Sequence, residues 1–287
     1  MLGENIVTKT QFWAASAALS AILVASSANA QTVSNGYVGL SYTDIDQAHI
    51  IAGRAVGSFD LSKTVELQLD GDIASVDTGI SGIGSTTVWG PTAHLFMDKD
   101  SFKGGAFLGY EDLDGANLTA YGVEGRIAAS DNVSLGLVAG LGSINVSGAS
   151  GSVDVTALRG EASFFQNDNL RWDVSVGSFK LNPPGTSADF TFTTYGLGGE
   201  YQMMKSPVSF TFGWEHGSIS GSSSNAYTLG VRRTFGGSLK DRDRNSAPFN
   251  GVGANYGGSE GVLFGALLGV VGGNIDPCDF DMQCMAE

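Results

Sequence analysis

The chain has 287 residues, 42 of them Gly, with only 15% charged residues and a formal net charge of −14. This balance argues against nucleic-acid binding, which needs clustered Lys and Arg against phosphates. A hydrophobic share of 42% argues equally against an acidic disordered chain.

Residues 1–30 read as a signal peptide. Lys9 precedes an apolar run from Phe12 to Ala28, which ends in Ala28-Asn29-Ala30, a small-x-small cleavage pattern. Glu4 is unusual in such a leader, and an uncleaved membrane anchor is the alternative. Cleavage would leave Gln31 first. No Cys follows the run, which closes the lipoprotein route. The remainder is long enough for one large β-domain or two ordinary domains.

From residue 31 onward there is no apolar run of about twenty residues, so no ordinary transmembrane helix is expected. The dominant signal is alternation. Val65, Leu67 and Leu69 alternate with Glu66, Gln68 and Asp70. Leu135, Leu137, Ala139 and Leu141 alternate with small residues. Trp172, Val174 and Val176 alternate with Arg171, Asp173 and Ser175; Phe210, Phe212 and Trp214 with Thr211, Gly213 and Glu215. Residues two apart share a strand face, so each segment has one apolar and one small or polar face.

About twelve such segments are expected, and ten remain an alternative count. They fall near 35–46, 48–59, 64–76, 86–98, 102–112, 117–129, 132–146, 153–165, 169–180, 187–202, 207–219 and 225–236. A soluble sandwich also alternates, but three features favour a closed antiparallel transmembrane β-barrel over residues 31–236. The segments are about ten residues or longer, as tilted membrane strands must be. Short connections such as Asp98-Lys99-Asp100 and Ser130-Asp131-Asn132 alternate with mostly longer Gly- and Ser-rich ones at 77–85, 147–152, 182–188 and 218–225. Aromatics including Trp89, Tyr110, Tyr121, Phe164, Trp172, Tyr195, Tyr201 and Trp214 sit near strand ends on the apolar face, where headgroups would lie. In hydrocarbon only a closed sheet leaves no unpaired backbone edge.

The opposite parity carries charge. Glu66, Asp70, Glu124, Arg126, Arg159, Glu161, Arg171, Asp173, Glu200 and Arg232 are expected to line the lumen, mostly in its periplasmic half. They would either fill a narrow barrel with salt bridges or line a small polar channel. Of the three His, His94 has lumen parity, while His49 and His216 fall near the external end. No nucleophile motif accompanies them, so no catalytic residue is assigned. No metal site or cofactor is expected.

Residues 237–287 form a Gly-rich C-terminal extension, expected in the periplasm. The charge run from Lys240 to Arg244 reads most simply as a solvated exit from the membrane. Gly261, Gly265, Gly269 and Gly273 recur every four residues, which would give a helix one small face; a Gly-rich strand pair is the alternative. A partner contact or a lumen plug are both open. Cys278 and Cys284 could form a disulfide after export, remain free, or link two chains. A loop this short would add little stability.

The segment from Asn225 through Tyr227, Gly230 and Phe235 to Arg244 resembles the closing strand of small porin-like outer-membrane proteins of alphaproteobacteria. In such strands alternate apolar residues, a Gly and a terminal aromatic are read by the barrel-assembly machinery. Tyr227, Gly230 and Phe235 would fill those places. Arg233 departs from the pattern, as do the residues that follow Phe235. The resemblance implies a non-enzymatic outer-membrane barrel among lipid and lipopolysaccharide, structural or passing small solutes. A surface adhesin or receptor is the main alternative, and a barrel lipase or protease a lesser one.

Overall fold

The computed structural model describes residues 35–45, 48–77, 85–99, 101–113, 115–147, 151–184, 190–219, 222–245 and 249–256. The leader 1–30, the Gly261–Gly273 repeat, and Cys278 and Cys284 lie outside the described residues. Twelve strands follow one another: β1 (Asn35–Ile45), β2 (Ala48–Asp60), β3 (Val65–Asp77), β4 (Thr86–Lys99), β5 (Phe102–Asp112), β6 (Ala116–Ser130), β7 (Val133–Val146), β8 (Ser152–Asn167), β9 (Leu170–Asn182), β10 (Phe190–Gln202), β11 (Val208–Ile219) and β12 (Ser222–Phe235). Each pairs antiparallel with its sequence neighbours, and β1 pairs β12 from Gly36↔Phe235 to Ile45↔Ala226, so the sheet closes on itself. Every strand boundary lies within three residues of the one read from the alternation.

The main departure is at the start of β12. Residues 218–225 read as a loop because the serines there carry no apolar alternation. The ladder nevertheless continues to Ile219↔Ser222. Backbone pairing needs no apolar side chain, and the two strands run on until the chain must turn.

The burial pattern is inside out. Leu229 is 67% exposed, Leu40 63%, Val123 62% and Leu108 60%, whereas Gln68, His94, Ser134, Ser163 and Ser209 are 0% exposed. Contiguous apolar surface of this extent does not persist in water. It fits lipid tails, and the aromatic rings of Trp89, Tyr121, Trp172, Tyr195, Tyr201 and Tyr227 are exposed with it. Among the described residues no helix is long and apolar enough to cross a membrane; the crossing is made by strands. Arg233 sits on this outer face, exposed at the strand end, where its stem can follow the lipid while the head reaches water.

The two mouths differ. At one, which we call the turn end, strands are joined by short polar turns. At the other, the loop end, several connections are longer. The interior changes along the same axis. Toward the loop end it is mainly apolar, with Glu111 buried among apolar neighbours: Ile45, Ile50, Ala74, Val76 and Val88 form one cluster, and Phe107, Leu118, Val155, Phe179 and Phe192 another. Toward the turn end it is charged.

After Phe235 the chain does not leave. Gly236 and Gly237 have φ of 91° and 97°, a left-handed turn open to glycine without strain. The turn sends the chain back under the barrel as α1 (Leu239–Asn245), and α2 (Val252–Asn255) lies within the lumen. Ser238 and Asp241 start α1 reciprocally. The Ser238 hydroxyl accepts the Asp241 N–H at 3.1 Å, and the Asp241 carboxylate accepts the Ser238 N–H at 3.0 Å.

Candidate functional site

Of the ten charged residues assigned to the lumen by parity, eight meet in three ionic groups, while Arg159 faces Glu215 at 3.7 Å. In the first, His94 lies between two carboxylates, with Nδ1 2.7 Å from Glu124 and Nε2 3.4 Å from Asp70. Arg54 also reaches Asp70 at 2.9 Å, and the Gln68 amide donates to it at 2.7 Å. In the second, Arg126 donates to Asp243 and Glu161 and to the Ser163 hydroxyl. In the third, Glu200 meets Arg232 at 3.1 Å, Arg242 at 3.0 Å and Arg171 at 3.6 Å, and Arg171 also holds Asp173. Glu66 is buried nearer the turn end, where Lys103 pairs with Asp98 at 2.8 Å.

Sequence parity alone did not single out Arg54, Lys103 or Glu215. Arg54 shares the inward parity of Ile50 and Ala52, so the signal was present but masked by an otherwise apolar strand. Arg242, Asp243 and Arg244 were invisible for a different reason. The run Lys240–Arg244 looks like a solvated exit, yet Asp243 is 4% exposed. It accepts from Arg126 and from the Ser134 hydroxyl, and Arg244 donates to Ser134 and to the carbonyls of Ser130 and Asp131. Thus α1 is bolted across the turn end of the barrel by ion pairs.

Burial works to raise the Asp243 carboxyl, but the Arg126 guanidinium and the Ser134 hydroxyl outweigh it and hold the group below its ordinary 3.8. A depressed acid contributes stability that is present above the ordinary value and is lost as pH falls through the lowered one. The contacts of α1 should therefore persist through neutral and mildly acid pH and weaken only below 3.8. Carbon-13 titration of the Asp243 carboxyl should show a midpoint under that value; one above it would mean that Arg126 is not its partner.

Beyond α1 the chain enters the lumen on the side of β3–β9. The Phe249 ring stacks on His94 with centroids 6.0 Å apart and meets Phe96 edge-on at 5.2 Å. The Gln68 amide donates to the Phe249 carbonyl at 2.8 Å, and the Val252 N–H donates to the Thr92 hydroxyl at 2.9 Å. Val252 and Tyr256 are 0% and 1% exposed, and Tyr256 packs against Phe107 and Phe179. Burying each such side chain contributes about 1.5–3 kcal/mol. The wall is hollowed to receive them. A Cβ at Gly109 would run into Val252, and one at Gly140 into the Tyr256 hydroxyl.

The opposite wall, β9–β12 with β1, is lined with small residues: Ser175, Gly196, Gly198, Thr211, Gly213 and Thr228. Between it and the inserted segment lies a cavity of about 220 Å³. Its charged lining is Arg54, Arg159, Arg171 and Arg232 against Glu161, Asp173, Glu200 and Glu215. Arg232 also lies over the Tyr37 ring at 4.4 Å.

The remaining assigned positions lie on the seam or the rim. Tyr227 is exposed on the outer face, Phe235 is half-buried opposite Gly36, and Gly230 faces inward beside Thr211, where a Cβ would crowd the Thr211 hydroxyl at 2.5 Å. His49 is bonded to the Tyr42 hydroxyl at 3.1 Å, and His216 to the Asn225 amide oxygen at 3.1 Å.

These features define a class: a transmembrane β-barrel with a charged, partly filled lumen. Solved structures of the same architecture bear this out at the level of fold. An outer membrane channel from Pseudomonas putida F1 superposes with a TM-score of 0.55 at 9% identity, over 70% of this chain and 94% of that one. The NanC porin gives 0.51 at 10% identity, over 68% and 98%. No protein-family model matches the chain, and no curated protein matches it.

Proposed function

We propose that the protein is a porin-like barrel of a Gram-negative outer membrane, exported by its leader 1–30. It reinforces the envelope and passes small polar solutes slowly. The observation that carries this reading is the 220 Å³ charged cavity running beside the inserted segment inside a lipid-facing belt. The turn end lies in the periplasm with both ends of the barrel chain, and the closing strand with Tyr227, Gly230 and Phe235 serves the assembly machinery. Lipid and lipopolysaccharide surround the barrel.

Selectivity follows from the lining. Four guanidinium and four carboxylate groups line one cavity, interleaved and mostly paired, so neither sign of mobile ion gains much. In a planar bilayer under a potassium chloride gradient, the refolded full-length protein should give small ohmic steps with a reversal potential near zero. Strong preference for one ion would show that the pairs open in solution; silence would remove passage through the resting barrel. Catalysis has no part in this reading. Replacing His94 or His216 should leave lipid and protein turnover by the barrel unchanged.

A further inference from the structure

The chain that follows the closing strand occupies the very space through which a solute must pass. Three observations bear on what it does there. The twelve strands pair all the way round without it, so the barrel does not need it to close. The wall is cut to its shape: glycines stand where Val252 and Tyr256 seat, although any small residue would suit a bare lumen. Its anchors are of two kinds. The turn end is ionic, through Arg242–Glu200 and Asp243–Arg126. The inner end is held by few hydrogen bonds, among them Gln68 to the Phe249 carbonyl and Val252 N–H to Thr92.

We propose that residues 236–245 and 249–256 belong to a built-in plug that sets the width of the passage, and that its withdrawal toward the turn end opens the lumen. This rests on the channel reading above. The geometry makes withdrawal a simple step. The segment begins at the turn-end mouth, at the Gly236–Gly237 turn, after the last strand pair Gly36↔Phe235, so no strand pairing has to break. The outermost contacts of α1, Lys240 to the Asn132 side chain and Arg244 to the carbonyls of Ser130 and Asp131, are exposed at that mouth, where a charged partner can compete with them before the buried pairs part. The inner seat is dry, and it releases the segment once an ionised group is placed in it.

Two full-chain variants displace the plug from opposite sides. Val252→Asp puts a carboxylate into the seat from the plug. Gly109→Val fills the seat from the wall. Single-channel conductance of each should rise several-fold over the parent chain, and trypsin should cleave after Arg242 and Arg244 far faster. Retained heat-modifiable mobility of both variants in gel electrophoresis verifies that the barrel itself is intact. If the parent conducts and either variant with an intact barrel and accelerated cleavage conducts no better, the plug does not set the passage and the proposal falls alone. If parent and both variants are silent despite accelerated cleavage, the proposal and the channel reading fall together. Unchanged cleavage in both intact variants would show that the segment is a fixed part of the wall, which also overturns the proposal.

Discussion

Replacing Glu200 with alanine should lower the unfolding free energy of the barrel by about 3–5 kcal/mol, the range expected when one member of a buried ion group is removed. Glu200 is 1% exposed and is the shared acceptor for Arg171, Arg232 and Arg242. Truncation leaves three guanidinium groups facing one another with little water to separate them. Asp173 can take up part of the load, because it already holds Arg171 at 2.9 Å, but it lies on β9 and does not replace the bond to Arg242 on α1. Glu200→Gln should recover part of the loss by keeping the hydrogen bonds without the charge. Denaturant titration of the detergent-folded protein, followed by the change in gel mobility, measures both. A loss under about 1 kcal/mol for the alanine variant would place this cluster among weak, solvent-screened pairs.

An arginine at Val123 should cost about 2–4 kcal/mol, as it does at the midplane of outer-membrane barrels. Val123 is 62% exposed at the centre of β6, opposite Ala106 and Ala139, with no aromatic or charged neighbour across either ladder. In water such a change on an exposed strand face is near neutral. The sign of the experiment therefore separates lipid from solvent as the medium around the belt. A matched change on the inner face, Thr211→Arg beside Glu215 and Glu200, should cost much less in unfolding experiments. Equal and small effects at both positions would contradict a membrane-facing exterior.

Much of this architecture was legible in the residues. Alternation places all twelve strands because period two is the only pattern that gives a strand one lipid face and one lumen face. The same parity predicts where Glu66, Asp70, Glu124, Arg126 and Glu200 point. Two things were not legible. Toward the loop end both faces are apolar, as at Ile50 and Ile51, so parity there says nothing about what the interior is like. The segment Phe249-Asn-Gly-Val-Gly-Ala-Asn-Tyr256 has neither helical nor strand period. Its structure is imposed by the hollow it fills, and a hollow built from β3–β9 cannot be read from eight residues elsewhere in the chain. Fainter signals existed: Ser238-x-x-Asp241 after two glycines marks a helix start, and Phe249 and Tyr256 are aromatic residues in an otherwise polar, Gly-rich stretch.

The pair of left-handed glycines after Phe235 bears on how such a barrel can zip shut. The seam between β1 and β12 is the joint between the two ends of the sheet, and chain trailing straight on from β12 would lie across the turn-end mouth of that joint. The sharp reversal at Gly236–Gly237 instead folds the trailing residues beneath the rim and inward, leaving Gly36 free to meet Phe235. A bulky β-branched residue at either glycine would straighten the reversal, so the first symptom should be slow or faulty seam closure rather than a leaky finished barrel.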